Sequence, residues 1–153
     1  MRLTPARLLR AVLAGLAAAL IVAATLWLNL RFGFGADLLG QPRAEAPTLP
    51  HSVLSFARAA LGAAAPLALP MAVLGALSGP WPIRAITLLV LAGGWYWAGD
   101  RLAMGFAGEF GAAWLPGEPF AEALFDPVLT PLALALALLG QAGLLKWLNR
   151  RAT

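Results

Sequence analysis

Residues 8–30 read LLRAVLAGLAAALIVAATLWLNL, an almost uninterrupted apolar run that decides the fold class of this chain. About 20 mostly apolar residues are enough to cross the hydrocarbon core of a bilayer. A cleaved signal peptide is the alternative, because Arg2, Arg7 and Arg10 precede the run. The run exceeds the roughly 7–15 residues of a signal-peptide core, and no convincing small-residue cleavage site follows it. We therefore predict a transmembrane helix.

Three further apolar segments have a similar character, so the sequence predicts an all-α polytopic membrane protein with four transmembrane helices. Hydrophobic residues make up 61% of the 153 residues and charged residues only 12%. A soluble domain of this size cannot bury so much apolar surface. We expect one transmembrane domain over residues 1–153, with spans at about 8–30, 53–78, 83–99 and 128–148 and outer loops at 31–52 and 100–127.

The charges divide between the two predicted faces of the membrane. One face carries seven cations and no acid, for a charge of +7: Arg2, Arg7, Arg10, Arg84, Lys146, Arg150 and Arg151. The other carries four cations against seven acids, for a charge of −3: Arg31, Arg43, Arg58 and Arg101 with Asp37, Glu45, Asp100, Glu109, Glu118, Glu122 and Asp126. Lys and Arg in short loops favour the cytoplasm. Both termini are therefore expected to be cytoplasmic, in a bacterial inner membrane.

The second outer loop has a pattern that the first one lacks. Phe106, Phe110 and Trp114 recur every four residues, which predicts an aromatic ridge on a helix lying in the membrane interface. Acids alternate with aromatic side chains along the same segment, which is the best docking candidate for a partner: Phe106, Glu109, Phe110, Trp114, Glu118, Phe120, Glu122 and Phe125. The alternative is a solvated acidic loop that topology requires.

Arg58 is the most unusual charge, because it lies about five residues inside the second predicted span. An ionisable side chain inside a membrane is a functional candidate by default. Asp100 ends the third span at a depth that suits an ion pair with Arg58, and Arg101 follows it. The alternatives are an arginine that extends to the interface and a site for a substrate or a lipid phosphate.

Pro66 and Pro70 lie near the middle of the second span. Each proline ring removes one amide donor, so the prolines predict a kink in this helix. The carbonyl oxygens released there could instead line a transport path. Small residues spaced four apart, such as Gly15 and Ala19, favour close helix packing within the chain or against a partner.

The amino-acid composition argues against several kinds of functional site. The chain has no cysteine, and His51 is its only histidine, which reads as an ordinary interfacial residue. No acid lies at the centre of a predicted span, so a proton relay is not expected. We predict no catalytic residue, metal site or cofactor, and no binding of nucleic acid.

These features favour a non-catalytic small subunit or accessory protein of a larger inner-membrane complex. It would pack through small-residue helix faces and dock through the acidic and aromatic loop, with lipid and membrane-protein subunits as its partners. One alternative is a small-solute transporter or channel component that uses Arg58 and the prolines. Another is a binder or enzyme for lipid phosphate groups at the outer leaflet, where arginines could bind the phosphate.

Overall fold

A computed structural model describes residues 4–34, 53–77, 81–105, 113 and 115–150, and every regular element among them is helical. Helix α1 runs over Pro5–Asn29 and continues as a π-helical turn, Leu30–Phe34. Helix α2, Val53–Ala64, is joined to α3, Ala68–Ala76, by the 3-10 turn Ala65–Leu67. Helix α4 covers Trp81–Met104, a second π-helical turn covers Phe120–Leu124, and α5 covers Leu129–Arg150.

The all-helical prediction is confirmed for the described part of the chain, and the apolar helices are compatible with a membrane protein. Three described helices are long and apolar enough to cross a membrane: Arg7–Phe32, Leu54–Ala76 and Leu129–Leu148. The 24-residue α4 is not among them. It matches the others in length, but its second half is less hydrophobic. Two glycines and three aromatic residues that carry polar groups lie there: Gly93, Gly94, Trp95, Tyr96 and Trp97.

Several helix ends differ from the sequence prediction. Helix α1 starts before Leu8, because Thr4 caps it by accepting a hydrogen bond from the Arg7 amide at 3.4 Å and Pro5 suits a first helical turn. The helix expected over 83–99 extends to Met104, so the loop expected at 100–127 begins later. The interfacial helix predicted around Phe106, Phe110 and Trp114 lies outside the described residues, as does most of the loop 31–52.

Helices α1 and α3 approach so closely that a glycine in each is sterically required. A Cβ atom added to Gly15 of α1 would collide with the backbone carbonyl oxygen of Ala68 and lie 2.9 Å from the Cβ of Ala72. A Cβ atom added to Gly75 of α3 would collide with the Cβ of Ala14. Small residues at a helix interface permit this kind of backbone contact in membranes. Part of the small-residue surface is thus used inside the chain.

The prolines of the second hydrophobic segment coincide with a change of helix type. Pro66 lies in the 3-10 turn between α2 and α3, and Pro70 lies two residues into α3. Both proline side chains are exposed, as is Gly62 one turn before Pro66. Neighbouring Leu67 is buried instead and packs against Gly94 of α4. The turn and the start of α3 therefore direct both prolines outward and Leu67 inward.

We expect Gly15→Ala to lower the free energy of unfolding by about 1–3 kcal/mol, the usual range for overpacking a tight interface. The added methyl group would force the α1 and α3 backbones apart. Thermal unfolding in detergent, followed by circular dichroism, measures the change. Gly143→Ala is the matched control, because a Cβ atom at that position of α5 meets nothing within 4 Å. Equal stability of the two variants would contradict the close approach.

Candidate functional site

The segment that precedes α5 folds back over one end of the helix bundle and is held there by buried hydrogen bonds. We call this end, where α1 and α4 finish and α5 begins, the loop end. Asn29, only 1% exposed, donates from its Nδ2 atom to the carbonyl oxygen of Leu124 at 2.9 Å. Its Oδ1 atom accepts a hydrogen bond from the Thr130 hydroxyl at 3.2 Å. Helix α1, the loop and α5 are therefore joined at one point.

Asp100 near the end of α4 fixes the same segment from a second side. Its two carboxylate oxygens accept hydrogen bonds from the backbone amides of Gly117, at 3.3 Å, and Phe120, at 3.2 Å. Gly117 has φ +93°, a left-handed conformation that favours glycine. The Tyr96 hydroxyl also donates to the Gly117 carbonyl oxygen at 3.4 Å. We call Asn29, Asp100 and Thr130 the loop clamp.

The three charges singled out from the sequence have different surroundings in the structure. The described bonds of Asp100 go to the loop amides rather than to Arg58. Arg58 is exposed on α2. Arg101 lies with its guanidinium carbon 5.0 Å from the centre of the Trp97 ring, within the range of a cation–π contact. The structure therefore brings Arg101 to an aromatic neighbour and Asp100 to the loop.

A buried aromatic cluster lies next to the loop clamp, in the interior of the helix bundle. Trp95, only 1% exposed, donates its indole N–H to the Thr25 hydroxyl at 2.9 Å, and that hydroxyl donates in turn to the Ile21 carbonyl oxygen. The ring of Phe120 meets Trp95 edge-on with centroids 5.7 Å apart. Gly99 leaves room for the Phe120 ring, which is buried. Phe120, expected on the docking surface, therefore belongs to the interior.

Other side chains of the clamped segment face outward. Leu115 is 67% exposed and Phe125 56% exposed, and the carboxylates of Glu118 and Glu122 are exposed between them in sequence. Glu118 also accepts a hydrogen bond from the Leu115 amide at 2.7 Å. We call these four residues the loop surface. The docking candidates Phe106, Glu109, Phe110 and Trp114 lie outside the described residues.

A cavity of about 390 Å³ lies between α2 and the last turns of α4. Its lining includes Arg101 and Ser55, together with the small residues Ala59, Gly62 and Ala63. A positive charge beside an open space could accept an anion. Among the described residues, no three His, Cys, Asp or Glu side chains are grouped so that they could hold a metal ion.

Gln141 of α5 differs from every other buried polar side chain described above. It is completely buried, and neither its Nε2 nor its Oε1 atom has a hydrogen-bond partner in the described structure. Buried Thr87, by comparison, donates to the Ile83 carbonyl oxygen at 2.7 Å. An unpaired buried amide destabilises the fold, because it loses its hydrogen bonds to water or to lipid headgroups without replacement.

Thr25, Asn29 and Thr130 are polar residues within the predicted apolar spans, and sequence reasoning assigned them no role. Their position near the ends of spans was the available signal. Their partners lie far away in the chain, since 70 residues separate Trp95 from Thr25 and 101 separate Thr130 from Asn29. Comparison with protein-family models, with curated proteins and with solved structures finds no match for this chain.

We expect Asn29→Leu to destabilise the fold and Gln141→Met not to destabilise it. Removing Asn29 leaves the Leu124 carbonyl oxygen and the hydrogen of the Thr130 hydroxyl with only their long mutual hydrogen bond of 3.4 Å, and should lower the free energy of unfolding by about 1–3 kcal/mol. Removing Gln141 breaks no hydrogen bond of the described structure and should leave stability unchanged or raised. Thermal unfolding of both variants in the same detergent makes the comparison. A larger loss in Gln141→Met than in Asn29→Leu would refute this assignment.

Asp100→Ala should release the clamped loop without unfolding the helices. The amides of Gly117 and Phe120 would lose a charged acceptor, so their hydrogen exchange should accelerate by about tenfold or more. Hydrogen–deuterium exchange with mass spectrometry detects this in the peptides that contain them. Glu122→Ala removes an exposed carboxylate of the same loop and is the control. Equal exchange in the two variants would show that Asp100 does not hold the loop.

Proposed function

We propose that this protein is a non-catalytic subunit or accessory protein of a larger bacterial inner-membrane complex. In this proposal α1, the α2–α3 pair, α4 and α5 each cross the membrane, and the loop surface binds a partner outside the cytoplasm. The observation that carries the proposal is a set of exposed apolar and acidic side chains on a backbone that buried hydrogen bonds hold in place.

The fourth crossing is supported by the length and packing of α4. Its 24 residues extend about 36 Å at about 1.5 Å per residue, which exceeds a hydrocarbon core of roughly 30 Å. One side of the helix is buried, including Thr87, Leu91 and Trp95. The other side exposes large apolar side chains, such as Leu89 at 71%. Lipid is the environment that suits such a surface.

The proposed orientation follows from the distribution of Lys and Arg. Five described cations lie toward the end where α1 and α4 begin and α5 ends, and three lie toward the loop end: Arg7, Arg10, Arg84, Lys146 and Arg150 against Arg31, Arg58 and Arg101. An excess of Lys and Arg on one side favours placing that side in the cytoplasm. The loop surface would then face the periplasm.

The loop surface has the properties of a prepared binding site. Leu115 and Phe125 expose apolar area, and Glu118 and Glu122 add negative charge. Because Asp100 and Asn29 already fix the backbone, binding would lose little conformational entropy. The acids would favour a partner with a basic surface and accelerate its association.

The buried polar groups support a structural role over a catalytic one. Asn29, Thr130, Thr25 and Trp95 bond to one another or to the backbone of the chain. They are committed to holding helices and loop together. A catalytic site would instead direct such groups toward a space that a substrate could enter.

A second candidate function is binding of a lipid phosphate group at the loop end. The cavity of about 390 Å³ beside Arg101 and Ser55 favours it. In the proposed orientation this cavity faces the outer leaflet. Binding of a phospholipid or polyprenyl phosphate by the pure protein would support this candidate, and Arg101→Gln is the variant expected to lose that binding.

Purification from native membranes in mild detergent tests the leading proposal. Wild-type protein should recover stoichiometric partners, identified by mass spectrometry. Glu122→Lys with Phe125→Ala should reduce that recovery about tenfold, because central contacts of an interface carry most of its affinity. Leu139→Ala, which changes an exposed apolar side chain of α5 away from the loop, is the control. A wild-type protein that purifies alone and monodisperse would overturn the proposal.

A further inference from the structure

A cavity of about 500 Å³ lies between α4 and α5 at the end of the bundle opposite the loop. We call this end, where α1 and α4 begin and α5 finishes, the basic end. Arg84 from α4 and Lys146 from α5 both line the cavity, as does Trp81 at the start of α4. Leu88 and Ala142 continue its wall toward the middle of the helices. Two cations from different helices therefore share one space with an apolar wall.

The charges of this cavity are not neutralised within the described part of the chain. Arg84 and Lys146 are exposed and make no ion pair there. The described acids all belong to the loop end: Asp100, Glu118, Glu122 and Asp126. No acid occurs among residues 1–36 or 127–153 of the sequence either. The cavity thus has positive charge at its rim and an anion would be attracted to it.

The apolar wall distinguishes an amphiphilic anion from a small inorganic one. A free phosphate ion would satisfy Arg84 and Lys146 but would leave the surface near Leu88 and Ala142 unused. A hydrocarbon chain would cover that surface. Trp81 is 78% exposed at the rim, and tryptophan favours the headgroup level of a membrane. Basic pockets between membrane helices are a recognised setting for anionic lipid headgroups.

We propose that this cavity binds an anionic phospholipid from the leaflet at the basic end. Arg84 and Lys146 contact the phosphate, and an acyl chain lies along Leu88 and Ala142. The proposal rests on α4 and α5 crossing the membrane and does not depend on any partner of the loop surface. Its test uses purified protein alone, so its failure and a failure of the docking proposal are distinguishable.

Native mass spectrometry of the detergent-purified protein tests the lipid site. Phosphatidylglycerol and phosphatidylcholine with identical acyl chains are added at equal concentration. We expect wild type to bind phosphatidylglycerol in preference, and Arg84→Gln with Lys146→Gln to weaken this binding about 25-fold, since each charge contributes about fivefold. Arg84→Lys should retain most of the affinity. Arg58→Gln, an exposed cation at the other end, is the matched control and should bind as wild type does.

A second variant separates the shape of the cavity from its charge. Ala142→Phe adds bulk to the apolar wall without altering any cation, and it should reduce phosphatidylglycerol binding at least fivefold. Inorganic phosphate at the lipid's concentration should not displace the lipid. The proposal is overturned if both lipids bind equally, if Arg58→Gln weakens binding as much as the double variant does, or if Ala142→Phe has no effect. Displacement by inorganic phosphate would also overturn it, by showing a plain anion site.

Discussion

The close approach of α1 and α3 is the contact on which the remaining structure depends. Lipid competes with protein for apolar side chains, so membrane helices associate through tight packing rather than through the hydrophobic effect. Gly15 and Gly75 provide that packing, because each faces the other helix where a side chain would not fit. Helix α1 also contacts α2, α4 and α5. Its position therefore determines where Thr25 and Asn29 lie. Thr25 accepts the hydrogen bond of the Trp95 indole, and Asn29 donates to the loop at Leu124.

The apolar runs were enough to predict the helices, because a segment that crosses lipid must satisfy its own backbone hydrogen bonds. Helix ends were harder. Hydropathy placed the end of the third span near residue 99 or beyond Asp100, and α4 continues to Met104. The reason is local: Asp100 bonds to loop amides and Leu102 and Ala103 are buried, so this last turn packs against protein. A loop that folds back onto a helix end is not visible in hydropathy.

The site residues show the same limit of sequence reasoning. Asp100 was matched with Arg58 by depth along two helices, but its partners lie 17 and 20 residues ahead in the loop. Phe120 was placed on a docking surface because it stands beside acids. Its burial depends on the space that Gly99 leaves on another helix. To predict either contact, one must know which distant segments of the chain pack together, and the periodicity of the sequence does not contain that information. Exposure of Glu122 and Phe125, in contrast, agrees with their place in a polar segment.

The two ends of the bundle use their polar groups in opposite ways. At the loop end, Asp100, Asn29 and Thr130 are bonded within the chain, so they supply rigidity, while Glu118, Glu122 and their apolar neighbours face outward. At the basic end, Arg84 and Lys146 have no acidic side chain nearby. Like charges that share a cavity repel one another, and an uncompensated pair destabilises the fold unless water or an anion screens it. The two proposals therefore assign different ligands to the two ends, a protein to the rigid acidic surface and an anionic lipid to the basic cavity.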